Sequence, residues 1–386
     1  MRPKLSSPAP VVVTGGTGFI GGHLVARLSE FGFREISVPV RNYQTCAEVA
    51  RFPVRMPLVN LLDYGEVKKA IQGARFIFHL AYGKGGSQAE RVTIEGSANV
   101  VNAAIECRAE CVVVLSTMYV FGHPDTEFMV DESWPYHPAG GEYGQSKAKM
   151  ERRCLKRAGS SARTRIVVLN PSCVYGPKGH TYARLPIQMA EEGTFCWIEQ
   201  GKGVANYNFI DNLIDAIILA VNCKEAHGQR FIINDGYCSW RDFLGPLLGS
   251  AGDNLASFSR EELVERNRPK PAGIKDIVHY FINDRELVTL LNKVPVLNSL
   301  KKLLFRYNSK FRDVLLDMQR KPMVSCLKQR DSSVPAVPVW LAEIFGPTKT
   351  MFSSEKAKKI LGWRPFVSLE KGQRQTRQWL ESVKPL

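Results

Sequence analysis

Up to residue 235, short runs of β-branched and aromatic residues alternate with longer stretches that read as helices. The runs are VVVTG (11–15), EISVPV (35–40), RFIFHLA (75–81), CVVVLST (111–117) and RIVVLNP (165–171). Between them lie GGHLVARLSEFG, YGEVKKAIQGA, EGSANVVNAAIECR and YGQSKAKMERRCLKRA. Strands that are almost continuously apolar are buried on both faces. With helices between them they form βαβ units, which predicts an α/β protein with a doubly wound parallel sheet. A further helix, NLIDAIILAVN (212–222), and a strand, QRFIIND (229–235), continue the pattern. Beyond about residue 240 the alternation gives way to basic, Pro-punctuated, helical sequence, until SSEKAKKILGW (353–363). We expect a nucleotide-binding domain over 9–176, to which 204–235 returns. A smaller, mostly helical subdomain, from 177–203 and 236–386, would bind substrate.

Composition narrows the class. The chain has 386 residues, 44% hydrophobic and 23% charged, with ample apolar content for a core. No apolar run reaches the roughly 18 residues of a spanning helix. The opening MRPKLSSPAP leads into a strand and a glycine loop rather than an apolar block with a cleavage site, so a cytoplasmic location is expected. Nine cysteines without C-x-x-C read as buried thiols in a reducing compartment, and seven histidines show no ligand spacing, so no metal is expected. The net charge is +15, and residues 255–330 hold 16 Lys and Arg against 8 Asp and Glu. Such a field favours a phosphorylated cofactor, an acidic substrate or an anionic membrane surface. No nucleic-acid-binding module is recognisable, so no nucleic-acid partner is expected.

Thr14, Gly15, Gly18 and Gly21 form T-G-x-x-G-x-x-G directly after the first strand, with Phe19 and Ile20 opening the helix. Gly15 permits the turn, Gly18 lets backbone approach a pyrophosphate, and Gly21 lets helix pack on strand. This is the Rossmann-type dinucleotide loop, with the diphosphate on free N–H groups at a helix N-terminus. Arg41 stands 20 residues past Gly21, where an acidic residue would bind the ribose of NAD. A guanidinium there suits the 2′-phosphate of NADP, or is a solvated loop arginine. NADP is therefore expected in preference to NAD. Asp63, beside Leu62, would bond the adenine or cap the next helix. Leu80 and Ala81 end the strand HLAYG at the cofactor crevice.

The strand CVVVLST delivers Ser116 and Thr117 to the carboxyl edge of the sheet, where ligands bind. Tyr143 and Lys147 follow in EYGQSKAKM, four apart and so on one helix face. A lysine beside a phenol lowers its pKa, and Thr117 would hold a substrate oxygen. These parts move a proton on or off an alcohol while hydride passes to nicotinamide.

In these stretches, together with VTGGTGFIG, HLA, LSTMYVFG, NPSCVYGP and KAKKILGWRP, the chain resembles the extended short-chain dehydrogenase/reductases, the NAD-dependent epimerase/dehydratase family. The resemblance spans residues 11 to 365. It implies Tyr143 as acid/base, Lys147 holding the nicotinamide ribose, Thr117 anchoring the reacting oxygen, and Pro171 to Val174 lining the nicotinamide. It also implies a homodimer through helices 94–107 and 143–157. Departures from the family pattern fall at Thr93 and Asn170, where Asn and Arg are common. Met118 and Tyr119 stand where sugar dehydratases carry Asp-Glu, which argues against water elimination. Asn206 and Tyr207 stand where nucleotide-sugar members place an Arg. The stretch resembles the 3β-hydroxysteroid dehydrogenase branch, whose substrates are lipid-like alcohols. Tyr82, Met118, Asn170, Arg184 and Asn206 are the expected substrate-side residues. The basic segment 287–318 reads as a helical lid or as an interfacial helix on an anionic membrane. The functional expectations are an NADP(H)-preferring oxidoreductase of a secondary alcohol or ketone, a nucleotide-sugar epimerase, or a non-catalytic NADP-binding regulator.

Overall fold

The computed structural model describes residues 9–267 and 337–383, except 86, 87, 125, 127, 162 and 347. The segment 287–318, and most of 255–330, lies outside the described residues. The chain divides into one compact unit of Met1–Arg260 with Trp340–Leu386 and a second of Glu261–Val339. The side chains discussed below belong to the first.

The first half follows the predicted alternation. β1 (Val11–Thr14), α1 (Phe19–Glu30), β2 (Ile36–Ser37), β3 (Val54–Arg55), α2 (Tyr64–Ile71) and β4 (Phe76–His79) come in turn. A continuous helix then runs from α3 (Ala89–Arg91) through a π-helical turn, Val92–Gly96, into α4 (Ser97–Glu106). β5 (Cys111–Leu115), α5 (Gly141–Ala158) and β6 (Arg165–Pro171) complete the pattern. β7 (Cys173–Tyr175), α6 (Leu185–Glu191), β8 (Trp197–Ile198), β9 (Val204–Phe209), α7 (Ile210–Asn222) and β10 (Arg230–Ile233) follow. The remaining described elements are β11 (Gly236–Ser239), α8 (Trp240–Leu248), β12 (Ser257–Phe258), α9 (Arg260–Arg266), α10 (Leu341–Ile344) and α11 (Leu369–Ser382).

Seven parallel strands form the main sheet in the order β3-β2-β1-β4-β5-β6-β10. The winding reverses between β1 and β4, and ligands bind at the carboxyl ends of the strands there. β1, β4 and β5 are buried at every position, as strands covered by helices on both faces must be. On one face Val67, Ile71, Val100, Val101, Met150 and Cys154 of α2, α4 and α5 pack against Val12, Ile77, Val112 and Ile166. On the other, Leu24 and Leu28 of α1 and Leu213, Ile214 and Ile217 of α7 are fully buried.

Two expectations are adjusted. The strand expected over 35–40 is hydrogen-bonded as a ladder only at Ile36–Ser37, with an isolated bridge from Val40 to Leu58. Of the returning segment 204–235, β10 joins the main sheet, but β9 pairs with β7 and β11 in a separate three-stranded sheet. The motif KAKKILGW is also explained. Trp363 is fully buried, donates Nε1–H to the Asn212 carbonyl at 2.9 Å, and pins the C-terminal segment to α7. No helix among the described residues is long and apolar enough to cross a membrane.

The helix of the glycine loop is anchored by charge. Arg27 of α1 is buried and pairs with Asp215 of α7 at 2.8 Å and with Asp211 at 3.3 Å. Removing one partner of a buried pair strands the other's charge in low dielectric. Asp215→Ala should therefore destabilise the protein by about 3 kcal/mol in urea unfolding. A loss below ~0.5 kcal/mol would class the pair with weak surface bridges.

Candidate active site

The site is built where β5 and α5 meet. Thr117, extended at φ −160° and ψ 155°, caps a single 3-10 turn, Met118–Val120, its hydroxyl accepting from the Tyr119 N–H at 3.3 Å. α5 enters across the site because Gly144 has no side chain. A Cβ there would collide with the Ala139 carbonyl, which lies against the first turn. Tyr143 is thereby carried on that first turn, beside the 3-10 turn that follows Thr117. Tyr82 meets the Tyr143 ring edge-on at 5.6 Å, and Tyr119 does so at 6.4 Å. Residue Tyr143 keeps 38% of its surface exposed. Burial drives the pKa of its phenol above the ordinary value, Tyr82 adds to this, and Thr117 pulls the other way.

One turn on, Lys147 is 2% exposed. Its ammonium donates to the Leu115 carbonyl at 2.8 Å and lies over the Tyr82 ring at 5.3 Å. Burial lowers its pKa to about 8, against an upward pull from Cys154 and Glu151. Burial, Tyr82, Thr117 and Tyr119 act on the Tyr143 phenol, while the Lys147 ammonium is turned toward β5. In the ligand-free chain the tyrosine is set to hold its proton.

Among the expected substrate residues, Tyr82 is 43% exposed at the mouth, edge-on to Tyr143. Arg184 is exposed on the turn His180–Arg184, which also carries Tyr182, and Tyr182 stands 3.3 Å from Tyr119, hydroxyl to hydroxyl. Met118 is buried beneath the turn. Asn170 and Asn206 serve as supports. Asn170 is fully buried and donates to the Thr117 carbonyl at 3.2 Å and to Glu151 at 2.7 Å. Asn206 donates to the Thr350 carbonyl and accepts from the Phe352 N–H, tying β9 to the C-terminal segment. Thr93 accepts from the Gly83 N–H at 3.0 Å and fixes the loop after Tyr82. Glu151 did not register in the sequence pattern as a site residue, although it lies on the Tyr143–Lys147 face of α5, one further turn along.

The glycine loop has the shape of a phosphate cradle. Gly15 (φ +72°) packs so that a Cβ would stand 2.7 Å from the Ala81 nitrogen, and one on Gly21 would strike the Gly15 carbonyl. Gly18 is exposed, with only the Gly15 carbonyl near its missing side chain. No side chain caps α1, so its first N–H groups, through Phe19, Ile20 and Gly21, are left for an anion. Leu80 is buried and its N–H bonds the Thr14 carbonyl. Arg41 is exposed, and its loop is drawn to the cradle by Thr45, whose hydroxyl lies 3.4 Å from that of Thr17. Asp63 caps α2, accepting from the Glu66 N–H at 2.9 Å, and Leu62 beside it is half-buried. Ser172, between Pro171 and Val174 at the end of β6, has a buried hydroxyl without a hydrogen-bond partner. An open cradle, an orphaned hydroxyl and a buried ammonium with a single carbonyl acceptor together fit a pyridine dinucleotide.

A model of the NAD dependent epimerase/dehydratase family matches residues 11–234. The chain belongs to that family, the extended short-chain dehydrogenase/reductases. It is accordingly an enzyme of nicotinamide chemistry. The 3beta-hydroxysteroid-dehydrogenase/decarboxylase isoform 1 of Arabidopsis thaliana is 25% identical to it over 392 residues, covering 95% of this chain and 78% of the relative. Short-chain dehydrogenase/reductase family 42E member 1 of Danio rerio is 27% identical over 270 residues, 62% of this chain and 67% of the relative. The UDP-glucose 4-epimerase of Thermotoga maritima, solved with UDP-glucose, superposes with a TM-score of 0.66 at 18% identity, covering 97% of this chain and 99% of that one. At that identity the likeness is one of fold.

The cradle of this short-chain dehydrogenase/reductase rests on a buried proton chain. Ser97 donates to the Thr93 carbonyl at 2.5 Å, so its oxygen accepts from His79 Nε2 at 2.7 Å. His79 Nδ1 is then the acceptor for the Thr14 hydroxyl at 2.7 Å. Burial, with Lys147 nearby, lowers the His79 pKa to about 3. A depressed folded pKa means that this stability is fully present above pH 6.5 and is lost as pH falls toward 3. Between about pH 6 and pH 4, unfolding free energy should fall by roughly 1.4 kcal/mol per pH unit more than in a His79→Asn variant. Equal slopes in urea titrations would contradict a neutral, buried His79.

Proposed function

We propose that this enzyme is an NADP(H)-preferring oxidoreductase that interconverts a secondary alcohol and its ketone on an apolar, lipid-like substrate. The observation that carries the reading is Tyr143 set edge-on against Tyr82, with the buried Lys147 ammonium lying over that same ring one turn further along α5. The nicotinamide, when bound, supplies or accepts the hydride. The chain's own residues manage the oxygen and its proton. Tyr143, with a raised pKa, holds a proton at neutral pH that it gives to a carbonyl oxygen as that oxygen gains charge. Thr117 holds the same oxygen. Lys147 has donors to spare for the ribose hydroxyls, since a single backbone carbonyl takes one of its hydrogens. Gly15, Gly18, Phe19, Ile20 and Gly21 would cradle the diphosphate, and Arg41 the 2′-phosphate.

Three features favour an apolar substrate. Tyr82 and Tyr119 flank the reacting phenol, and Tyr182 stands behind Tyr119. Asn206 spends its amide on the backbone of 350–352. The Arabidopsis relative that aligns along nearly the whole chain is named for a hydroxysteroid. A nucleotide-sugar epimerase is the second reading, favoured by exposed Arg184 as a diphosphate ligand near Tyr182.

The two readings separate by stoichiometry. With a panel of 3-ketosteroids and NADPH, nicotinamide absorbance should fall one for one with product, and UDP-glucose should give no turnover. Epimerisation of UDP-glucose without any change in absorbance would overturn the oxidoreductase. Tyr143→Phe should lower kcat by roughly 10²–10⁴-fold while cofactor affinity stays at the wild-type level. Wild-type turnover in that variant would remove Tyr143 from the chemistry. Arg41→Asp should weaken NADPH binding about 10–100-fold and leave NADH binding intact or improved. An unchanged ratio of the two dissociation constants would exclude the contact with the 2′-phosphate.

A further inference from the structure

We propose that Glu151 is a positioning residue that joins the loop carrying Thr117 to the helix carrying Tyr143 and Lys147, and so sets the reacting geometry. The proposal rests on the reading of those three residues as the reacting centre.

Glu151 is fully buried on α5 and lies eight residues past Tyr143 on the same face. Its two carboxyl oxygens are met from four directions. Ser116, at the end of β5, donates to Oε2 at 2.6 Å. Asn170 of β6 donates to the same oxygen at 2.7 Å. Tyr136, in the loop before α5, donates to Oε1 at 3.0 Å, and Arg230 of β10 pairs with that oxygen at 3.2 Å. Each donor belongs to a segment that frames the site. The decisive link is Asn170, whose amide nitrogen also donates to the Thr117 carbonyl. Thr117 is thus held from below by its own carbonyl and from the preceding residue by Ser116, both referred to one carboxyl group on the helix of Tyr143.

Such an arrangement is more than a buried ion pair. Arg230 already donates to the Glu132 and Trp134 carbonyls, and its guanidinium stacks on Phe121 and Tyr136. Satisfying that guanidinium alone would not require Ser116 and Asn170 to converge on the same oxygen. Glu151 also bears on the ammonium one turn away. It raises the pKa of Lys147, against the burial that lowers it, as Cys154 does from the same helix. The groups facing the carboxyl are therefore Ser116, Tyr136, Asn170 and Arg230 across the interface, and Lys147 and Cys154 along α5.

Two variants of the full chain separate link from charge. Glu151→Gln keeps the shape but removes the charge and replaces one acceptor by a donor. Asn170→Ala cuts the tie to Thr117 and leaves the charge. Both should lower kcat roughly 10–100-fold through misplacement of the reacting hydroxyls, with the NADPH dissociation constant, read by protein fluorescence, within about 3-fold of wild type. Nitrogen NMR of Lys147 in the cofactor-free protein supplies the readout that a purely structural role would not move. Its titration midpoint should drop below that of the wild type in Glu151→Gln and stay in place in Asn170→Ala. Wild-type kcat in Asn170→Ala overturns the proposal, whether or not the Glu151 variant folds. So does a joint loss of kcat, cofactor affinity and folding midpoint in both, which marks a general structural role. If Tyr143→Phe keeps full activity, the reading beneath the proposal fails independently of these results.

Discussion

Two ionisable side chains on one helix, Lys147 and Glu151, are folded into the carboxyl edge of the sheet with almost no access to water. That burial is the constraint from which the site follows. A buried ammonium needs acceptors, and the strand end of β5 offers the Leu115 carbonyl. A buried carboxyl group needs donors, and the ends of β5, β6 and β10 supply Ser116, Asn170 and Arg230. Satisfying both groups fixes the height and rotation of α5 against the sheet. Once α5 is fixed, Tyr143, one turn before Lys147, is set against Tyr82 and Tyr119.

The rest of the fold brings a cofactor to that place. The winding of the sheet reverses between β1 and β4, and the open N-terminus of α1 points at the gap. α1 is held close by glycines that leave no room for a side chain and by the Arg27–Asp215 pair to α7. His79, neutral and fully engaged, ties Thr14 in the cradle to Ser97 on α4. Lys147 lowers the pKa of that histidine, so cradle and reacting centre share one buried electrostatic environment. Tyr82 sits at their junction, covering the ammonium on one side and meeting Tyr143 on the other.

Much of this was legible in the residues alone. Strands β1, β4, β5 and β6 announced themselves because burial on both faces demands unbroken apolar runs. The glycine loop was legible because its spacing answers a backbone collision rather than a side-chain preference. Tyr143 and Lys147 were legible because helical geometry alone puts positions four apart on one face. What was not legible has a common cause. Asn170 and Asn206 are polar residues in apolar strands, and sequence cannot say whether such a residue faces a ligand or a neighbouring backbone. The amide nitrogens of both reach backbone carbonyls, at Thr117 and Thr350, while Asn170 Oδ1 is buried without a hydrogen-bond partner. Glu151 looked like one acid in a basic helix, since its donors come from residues up to 79 positions away. Spacing reports that Lys147 is near Tyr143 but not that its ammonium turns to β5. β9 left the main sheet because its partners, β7 and β11, are set by tertiary pairing that no local pattern encodes.

The proposed chemistry turns on the state of one phenol. Carbon NMR of the Tyr143 ring, assigned by its disappearance in Tyr143→Phe, reports that state directly as pH is raised, with and without saturating NADP. The predicted result is a titration above the ordinary tyrosine value of about 10 in the free protein, moved down by about one unit or more when the oxidised cofactor is bound. A midpoint near 10 in both states would contradict it, because that is how a solvated surface tyrosine behaves.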